Sequence, residues 1–487
     1  QDDAYLQTVA HVRLAAIHFA EGNMAPSEAH SRSGLALARG DDRLPRQHAQ
    51  SLYNLGRIAA NRGDHDGARA CYQQALSLVQ KAGNRVDEGR LLNELGAVYW
   101  RQGEYEQAHV YLQQGLAIVQ ATGDRQTEAD ILKSLGIVAW FQGEYEAALQ
   151  NYEASLSIYK EIGDRTGESS ILNNMGLVAW IQVDYERSAA YYEQSLRIKQ
   201  EIGEWARAGT TYGNLGMVAR VQGEYEQAIH YHQQSLAIAE EAGDELGRGR
   251  TFNNLGVVAA CLGDYGQADA YYRQGLAIRR EIGDREGEAT TLGNLGTLAF
   301  AQGDYEQAAA LQEQSLRIRR EIGDRAGECL ALMGLGLVDG RLGRLAQARK
   351  RLETAVALSH TLHNTSLREE AQTLLAGACL AQGEPAAARE LLVNVLANLS
   401  QGEQFSGAEY GCLNTLICYR VLQANEDERS RDVLTRAYER IRAETEGIQD
   451  VALRRSFLTN VPWRRELLAE WERLQSAGRS LADKTRH

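Results

Sequence analysis

The fold is decided by one stretch of 40 residues, Arg125–Asp164, whose pattern returns along most of the chain. It reads RQTEADILKSLGIVAWFQGEYEAALQNYEASLSIYKEIGD. Ile131, Leu135 and Val138 follow the spacing of one helical face, and Tyr152 continues an apolar pattern in the second half. The stretch therefore predicts two helices, each of about 16–19 residues.

The turn between these two helices is predicted from its glycine. Gly143 has the position of a residue that ends a helix in the left-handed conformation. Glu144 follows it and is expected to cap the second helix. Gly136 is expected where the two helices approach closely, with a large side chain, Tyr145 or Tyr152, filling the adjoining space.

The same unit recurs every 40 residues through eight consecutive units without insertions. One glycine series consists of Gly56, Gly96, Gly136, Gly176, Gly216, Gly256, Gly296 and Gly336. The series that contains Gly143 is interrupted only at Val183. A single helix pair cannot bury both of its faces, so the repeat predicts a stack of pairs, a solenoid.

The repeat divides the chain into four parts. Residues 1–44 are predicted to be a divergent N-terminal helix pair or cap, and 45–364 the eight regular units. Residues 365–445 are predicted to form degenerate units. Residues 446–487 are predicted to form a capping helix and tail, which we expect to cover the last repeat. The chain begins with Gln1 instead of Met, and we expect it to be a piece of a longer protein.

Composition excludes several classes of function. The 65 acidic residues outnumber the 52 basic ones, and the net charge of −13 disfavours binding to nucleic acid or anionic membranes. No apolar run approaches the ~18 residues that span a bilayer. Six cysteines without a CxxC spacing predict reduced thiols in a cytoplasmic protein.

No catalytic motif is present. The sequence has no phosphate-binding GxxxxGK[ST] loop, no HExxH, no GxSxG and no zinc-type array of Cys and His. The recurring Glu161, Glu201, Glu281 and Glu321 are interpreted as solvated helix ends. We therefore predict that the chain is not an enzyme, and that it holds neither a cofactor nor a metal.

The repeat resembles a known family. Asn214-Leu215-Gly216, Gly223-Glu224-Tyr225 and Ser235-Leu236 follow the pattern of the tetratricopeptide repeat. The 40-residue period is similar to the long repeats of kinesin light chains and of the C-terminal sensor arms of bacterial signal transduction ATPases with numerous domains (STAND). The resemblance implies an all-α fold, a right-handed α-solenoid of about ten helix hairpins with divergent caps.

The resemblance also implies that a partner binds the concave groove, which the first helix of each pair lines. Trp100, Trp140 and Trp180 recur at one groove position and, with Phe141, predict an exposed aromatic surface for binding. The alternative is that the indoles pack between neighbouring helices.

Amides recur beside these aromatic residues. Asn93, Asn173 and Asn253 resemble the asparagine ladder of kinesin light chains, where side-chain amides clamp the backbone of an extended peptide. The neighbouring series, which contains Asn54, is assigned to bracing the helices. The candidate groove residues are Tyr53, Arg57, Arg90, Asn93, Trp100, Lys133, Ile137, Trp140, Phe141, Asn173, Leu177, Trp180, Met217, Arg220, Arg250 and Asn253.

The leading hypothesis is a sensor domain of a larger bacterial signal-transduction regulator, which binds a protein or an extended peptide in this groove. Nucleotide-binding and effector domains are then expected N-terminal to this chain. Two alternatives stay open, a free-standing scaffold for protein–protein interaction and a receptor for peptide pheromones.

Overall fold

The computed structural model describes residues 2–39, 44–362, 364–400 and 411–484. Throughout these ranges the regular structure is helical, and no strand occurs in them. The all-α prediction is therefore confirmed. The chain divides into two compact units, Gln1–Ile202 (unit 1) and Gly203–His487 (unit 2).

Unit 1 is a series of helix hairpins in which each helix packs against its neighbours in sequence. Its helices are α1 (Asp2–Ala20), α2 (Met24–Ala38), α3 (Pro45–Asn61), α4 (His65–Lys81), α5 (Arg85–Arg101), α6 (Tyr105–Thr122), α7 (Arg125–Phe141), α8 (Tyr145–Ile162), α9 (Arg165–Ile181) and α10 (Tyr185–Glu201). The odd-numbered helix is the first of each hairpin.

Unit 2 continues the hairpins and adds an irregular C-terminal part. Its helices are α11 (Trp205–Gln222), α12 (Tyr225–Ala242), α13 (Glu245–Cys261), α14 (Tyr265–Ile282), α15 (Arg285–Gln302), α16 (Tyr305–Ile322), α17 (Arg325–Arg341), α18 (Leu345–Thr361), α19 (Thr365–Ala381), α20 (Pro385–Leu391), α21 (Val393–Ser400), α22 (Gly411–Ala424), α23 (Arg429–Gly447), α24 (Val451–Thr459) and α25 (Pro462–Lys484). Among the helices so described, none has the length and apolar character that crossing a membrane requires.

Glycine sets the turn inside each hairpin. Gly143 has φ 79°, in the left-handed region, as its place in the sequence predicted. Val183 occupies the same position one unit later with φ 64°. A β-branched side chain is strained in this conformation, because its Cβ approaches the following carbonyl oxygen.

Most second helices begin after either an Asp or a Glu. Where the residue before the helix is Asp, its side chain accepts a hydrogen bond from the backbone, as Asp184 does from the N–H of Arg187 at 3.0 Å. Glu144 makes no such bond, so the prediction that its side chain caps α8 is wrong. The shorter Asp side chain is the one that suits this position.

The glycine that recurs in the first helix of each unit allows the two helices of a hairpin to pack closely. A Cβ placed on Gly136 would lie 2.4 Å from Cε1 of Tyr152, well inside van der Waals contact. The Tyr152 ring is buried against this gap. Of the two tyrosines that the sequence suggested, Tyr152 therefore fills the space beside Gly136.

Three glutamates at the ends of second helices, Glu161, Glu201 and Glu321, are more than half exposed and form ion pairs. Arg285 at the start of α15 binds Glu288 in its own helix and Glu321 at the end of α16, at 2.7 Å each. Arg125 binds Glu161 in the corresponding way. These exposed pairs link the two helices of a hairpin at its open end.

In unit 2 the C-terminal helices fold back over earlier repeats. The ring of Phe457 in α24 lies 5.6 Å from that of Tyr225, and Trp463 in α25 lies 6.4 Å from Phe300. The Asn460 amide donates to the carbonyl of Gly263 at 3.0 Å. The same tail also contacts the last helix pair, where Arg420 of α22 binds Glu466 at 2.6 Å and Tyr438 of α23 stacks on Trp471. It therefore reaches beyond its predicted place on the last repeat, over the hairpins that begin at α11, α13 and α15.

Candidate ligand-binding site

All sixteen candidate residues lie on first helices of hairpins. Those in unit 1 are Tyr53 and Arg57 on α3, Arg90, Asn93 and Trp100 on α5, Lys133, Ile137, Trp140 and Phe141 on α7, and Asn173, Leu177 and Trp180 on α9. Those in unit 2 are Met217 and Arg220 on α11, and Arg250 and Asn253 on α13. We call the side of these helices that carries the candidate residues the first-helix face.

Aromatic rings form a continuous contact series in unit 1. Phe141 is at its centre, 5.9 Å from Trp100, 5.5 Å from Tyr105 and 4.6 Å from Trp140, measured between ring centroids. The rings of Trp100 and Tyr105 stack on Phe141, whereas Trp140 meets it edge-on. Aromatic residues from α5, the start of α6 and α7 thus build one surface.

The next hairpin supplies a second aromatic contact. Trp180 at the end of α9 lies 5.1 Å from Tyr185 at the start of α10. We call the six rings together the aromatic strip, which consists of Trp100, Tyr105, Trp140, Phe141, Trp180 and Tyr185. Its members cluster near the turns inside the hairpins, where the first helix ends and the second begins.

Exposure within the strip is uneven. Phe141 is 45% exposed, and Leu177 beside the strip on α9 is 37% exposed. Each of the three tryptophans is half-buried, because part of the indole packs against the helices beneath it. The indole N–H of Trp140 is buried and has no hydrogen-bond partner, so this indole offers a partner its ring and not its donor.

The asparagines brace neighbouring repeats. The side-chain oxygen of Asn93 accepts a hydrogen bond from Ser134 in the next repeat at 3.0 Å. In unit 2, Asn253 is buried and its oxygen accepts from the amide of Asn294 at 2.9 Å. The asparagines that were expected to clamp a peptide backbone therefore form hydrogen bonds to the next repeat. Asn253, being buried, is also inaccessible to a ligand.

Two of the candidate cations of unit 1, Arg90 and Lys133, have acidic partners. Arg90 binds Asp124 at 3.3 Å, and Lys133 binds Asp130 at 2.8 Å. These pairs are partly exposed, so they weaken the positive field along the first-helix face without cancelling it. An acidic ligand would have to compete with carboxylates that are already in place.

A cluster of polar side chains lies at the N-terminal end of the candidate surface. The hydroxyl of Tyr53 donates to Glu94 at 3.2 Å, and Tyr72 donates to the same carboxylate at 3.4 Å. Burial raises the pKa of Glu94, while the two hydroxyl donors act in the opposite direction. The Arg57 guanidinium lies 3.9 Å from the ring centroid of Phe19. Tyr53 and Arg57 are thereby held by their own neighbours.

The first-helix face of unit 2 is covered. Arg220 lines a cavity together with Arg440 of α23 and Arg464 of α25. The C-terminal helices thus lie over the position that corresponds to the aromatic strip. Met217 and Arg250 lie on the same helices as Arg220 and Asn253 but do not line this cavity.

Two features of the surface were missed from sequence. Tyr105 and Tyr185 recur at the start of second helices, and this place gave no sign of their contact with the strip. The covering of unit 2 was missed because α24 and α25 follow no repeat. Their several large apolar residues, Phe457, Val461, Trp463 and Leu467, were the available signal.

Comparison with known families identifies the repeat. A family model described as "Tetratricopeptide repeat" matches residues 47–121, 127–201, 207–281 and 276–321, and a second model of that description matches 333–402. No curated protein sequence matches the chain.

Solved structures share the fold at low sequence identity. A STAND protein with a tetratricopeptide repeat sensor from Pyrococcus horikoshii has a TM-score of 0.54 and 17% identity, with 76% of this chain and 55% of that chain covered. The apo quorum sensor NprR from B. thuringiensis has a TM-score of 0.52 and 13% identity, with coverages of 64% and 87%. Aspartyl phosphate phosphatase F from Bacillus subtilis has a TM-score of 0.51 and 14% identity, with 72% of this chain and 94% of that chain covered.

Proposed function

The chain belongs to the tetratricopeptide repeat family, and on that premise we propose that it is the partner-recognition domain of a larger bacterial signal-transduction regulator. Its fold is that of a scaffold for protein–protein interaction. The proposed ligand is a protein or an extended peptide, held on the first-helix face of unit 1. We place the chain in the cytoplasm, in keeping with its free thiols.

The single observation that carries this proposal is the exposure of the aromatic strip. Phe141 is the most exposed of its rings, and it is held in place by contacts with Trp100, Tyr105 and Trp140. A rigid aromatic group presented to solvent loses little conformational entropy on binding, which is why such groups dominate interaction surfaces. Leu177, another exposed apolar side chain, extends the area towards α9.

The proposed partner is a segment with apolar side chains. It would lay an aromatic or aliphatic residue on Phe141 and Leu177, while its backbone polar groups stay accessible to water or to surrounding polar side chains. The amides of the asparagine series contribute less than the family resemblance suggested, because Asn93 already binds Ser134. Affinity would therefore come mainly from apolar contact with the strip.

The experiment selects peptides from a random displayed library against the full chain and measures their affinity for three proteins. These are the unaltered chain, Phe141→Ala, and Val110→Ala as a matched control. Val110 lies on the second helix α6 and is 48% exposed, close to the exposure of Phe141. Phe141→Ala should weaken binding about tenfold or more, since it removes an anchor of the surface.

The Val110→Ala variant should bind the peptides with an affinity within about twofold of that of the unaltered chain, as expected for an exposed side chain outside a binding surface. Equal affinity of the Phe141→Ala variant and the unaltered chain would contradict the placement of the site. Failure to select any peptide that the strip binds would contradict the proposal that the ligand is a peptide segment.

The regulator context has a test of its own. The full reading frame that encodes this chain should contain a phosphate-binding GxxxxGK[ST] motif upstream of residue 1. Finding it would support a sensor attached to an ATPase. A reading frame without a nucleotide-binding or effector domain would favour the free-standing scaffold.

We propose no catalytic role and no cofactor for this chain. Within the described residues no group of three His, Cys, Asp or Glu side chains is arranged to hold a metal ion. Glu321, one of the recurring acidic residues, is engaged in an ion pair with Arg285.

A further inference from the structure

Unit 2 contains a cavity of about 340 Å³ between its first-helix face and its own C-terminal helices. One wall comes from α11, α13 and α15, and includes Arg220, Val257 and Ala301. The opposite wall comes from α23 and α25, and includes Trp463 and Arg464. This volume lies in the range of pockets that hold small molecules.

A buried cation lies in the wall of this cavity. Arg464 is 4% exposed, and its guanidinium donates to the carbonyl oxygens of Phe457 at 2.7 Å and of Cys261 at 3.1 Å. Its Nε is buried without a hydrogen-bond partner. Among the residues that the structure describes, no carboxylate lies within ion-pair distance of Arg464. Buried charges are normally paired, because removing an ion from water is costly.

The other charges around the cavity do not balance Arg464. Glu444 is the acidic residue of the lining, and it is already bound by Arg440 at 2.7 Å and by the hydroxyl of Tyr225 at 2.9 Å. Arg220 is half-buried and likewise has no carboxylate partner in the described part of the chain. Three guanidinium groups therefore share one carboxylate, in a chain whose net charge is −13.

The remaining lining is largely apolar. Val257, Ala301 and Leu467 face the cavity together with the ring of Trp463. A molecule that fills this space therefore meets apolar surface on most sides and positive charge at Arg220 and Arg464. A ligand with an apolar body and one anionic group complements both features.

We propose that this cavity binds a small amphipathic anion, with an aromatic or aliphatic body and one carboxylate or phosphate that pairs with Arg464 and Arg220. The ligand contacts repeats on one wall and C-terminal helices on the other, so its binding stabilises the folded-back state of unit 2. This site is separate from the aromatic strip of unit 1, and it does not depend on the function proposed above.

The test measures binding to the full chain by calorimetry with two anions and their uncharged counterparts. The probes are indole-3-acetate against indole-3-acetamide, and phenyl phosphate against phenol, so that a carboxylate and a phosphate are distinguished. At least one anion should bind about tenfold or more tightly than its counterpart, because it adds a charge-assisted contact. If neither anion binds more tightly than its counterpart, the proposal is overturned.

Variants locate the site. Arg220→Gln should weaken binding of the anion about tenfold, whereas Arg220→Lys should largely restore it. Arg250→Gln is the matched control, since Arg250 lies on the neighbouring first helix outside the cavity. Ala301→Phe places a ring in the cavity without removing a charge, and it should abolish binding. Unchanged affinity in either Arg220→Gln or Ala301→Phe would overturn the assignment of the anion to this cavity.

Discussion

Val183 shows how a single residue departs from the repeat at a cost in stability. It takes the place that glycine has in the neighbouring units, with Gly143 on one side and Gly223 on the other. All three have positive φ, so the turn keeps its geometry even where the side chain is unsuited to it. The hairpin therefore imposes the left-handed conformation, and Val183 is strained.

Replacing Val183 by Gly should stabilise unit 1 by about 1 kcal/mol, because the left-handed conformation is accessible to glycine without a steric penalty. The measurement is the midpoint of urea unfolding followed by circular dichroism. The reverse change at the matched position, Gly143→Val, should lower the midpoint. A Val183→Gly variant with the same or a lower midpoint would show that the position carries no strain.

His232 is a second departure, and it affects stability in acid. It occupies the position of Tyr152 and Tyr192 in earlier units and is 1% exposed. Both of its ring nitrogens are buried without a hydrogen-bond partner. Burial, and to a smaller extent the charge of Arg220, lowers the pKa of His232 to about 4 from an ordinary value of 6.5.

The folded chain therefore keeps His232 neutral where the unfolded chain binds a proton. Because the pKa is lower in the folded state, this residue's contribution to stability is unchanged above pH 6.5 and falls as the pH drops from about 6.5 to about 4. The loss over that window is roughly 3 kcal/mol.

Other repeats have leucine at the position of His232, namely Leu112 and Leu352. The substitution His232→Leu should therefore remove this loss of stability. Unfolding midpoints of the variant and the unaltered chain should diverge as the pH falls below 6.5, with the variant the more stable. Parallel curves for the two proteins down to pH 4 would contradict the account of His232 as a buried neutral imidazole.

Among the helices, the second helices differ in whether a side chain caps their first turn. Helices α10, α14 and α16 begin after an Asp whose carboxylate accepts from the backbone, whereas α6, α8 and α12 begin after a Glu that does not. The N–H groups of the first turn in α8 therefore have no side-chain cap from Glu144.

Glu144→Asp should stabilise α8 by about 0.5–1 kcal/mol, because the shorter side chain can accept from the first turn. Glu146→Asp is the matched control, an identical change inside the first turn of the same helix, where no cap can form. Thermal unfolding of both variants checks the prediction. An equal effect of the two substitutions would mean that capping is not the cause.

The helices themselves follow closely from sequence, and the reason is physical. Apolar residues at helical spacing, glycine at the turns and Gly136 opposite Tyr152 all act locally, so they can be recognised from spacing alone. The roles of Asn93 and Asn253 could not be predicted in this way. An amide that clamps a peptide and an amide that braces the next repeat have the same chemistry and the same spacing.

At the scale of the whole molecule, the two units use the same hairpins differently. The first-helix face of unit 1 carries the aromatic strip, with Phe141 exposed to solvent. In unit 2 the chain's own C-terminal helices lie on that face, held by contacts such as Phe457 with Tyr225. This arrangement was beyond sequence analysis, because residues in contact are separated by more than 200 positions and α24 and α25 carry no repeat that sets their register.

Hydrogen–deuterium exchange of the full chain, with and without a peptide selected to bind it, shows directly whether the aromatic strip is the binding surface. On addition of the peptide, we expect slower exchange at the ends of α5, α7 and α9, around Trp100, Phe141 and Trp180. Protection confined to second helices, or to the first helices of unit 2 that the C-terminal helices already cover, would contradict it.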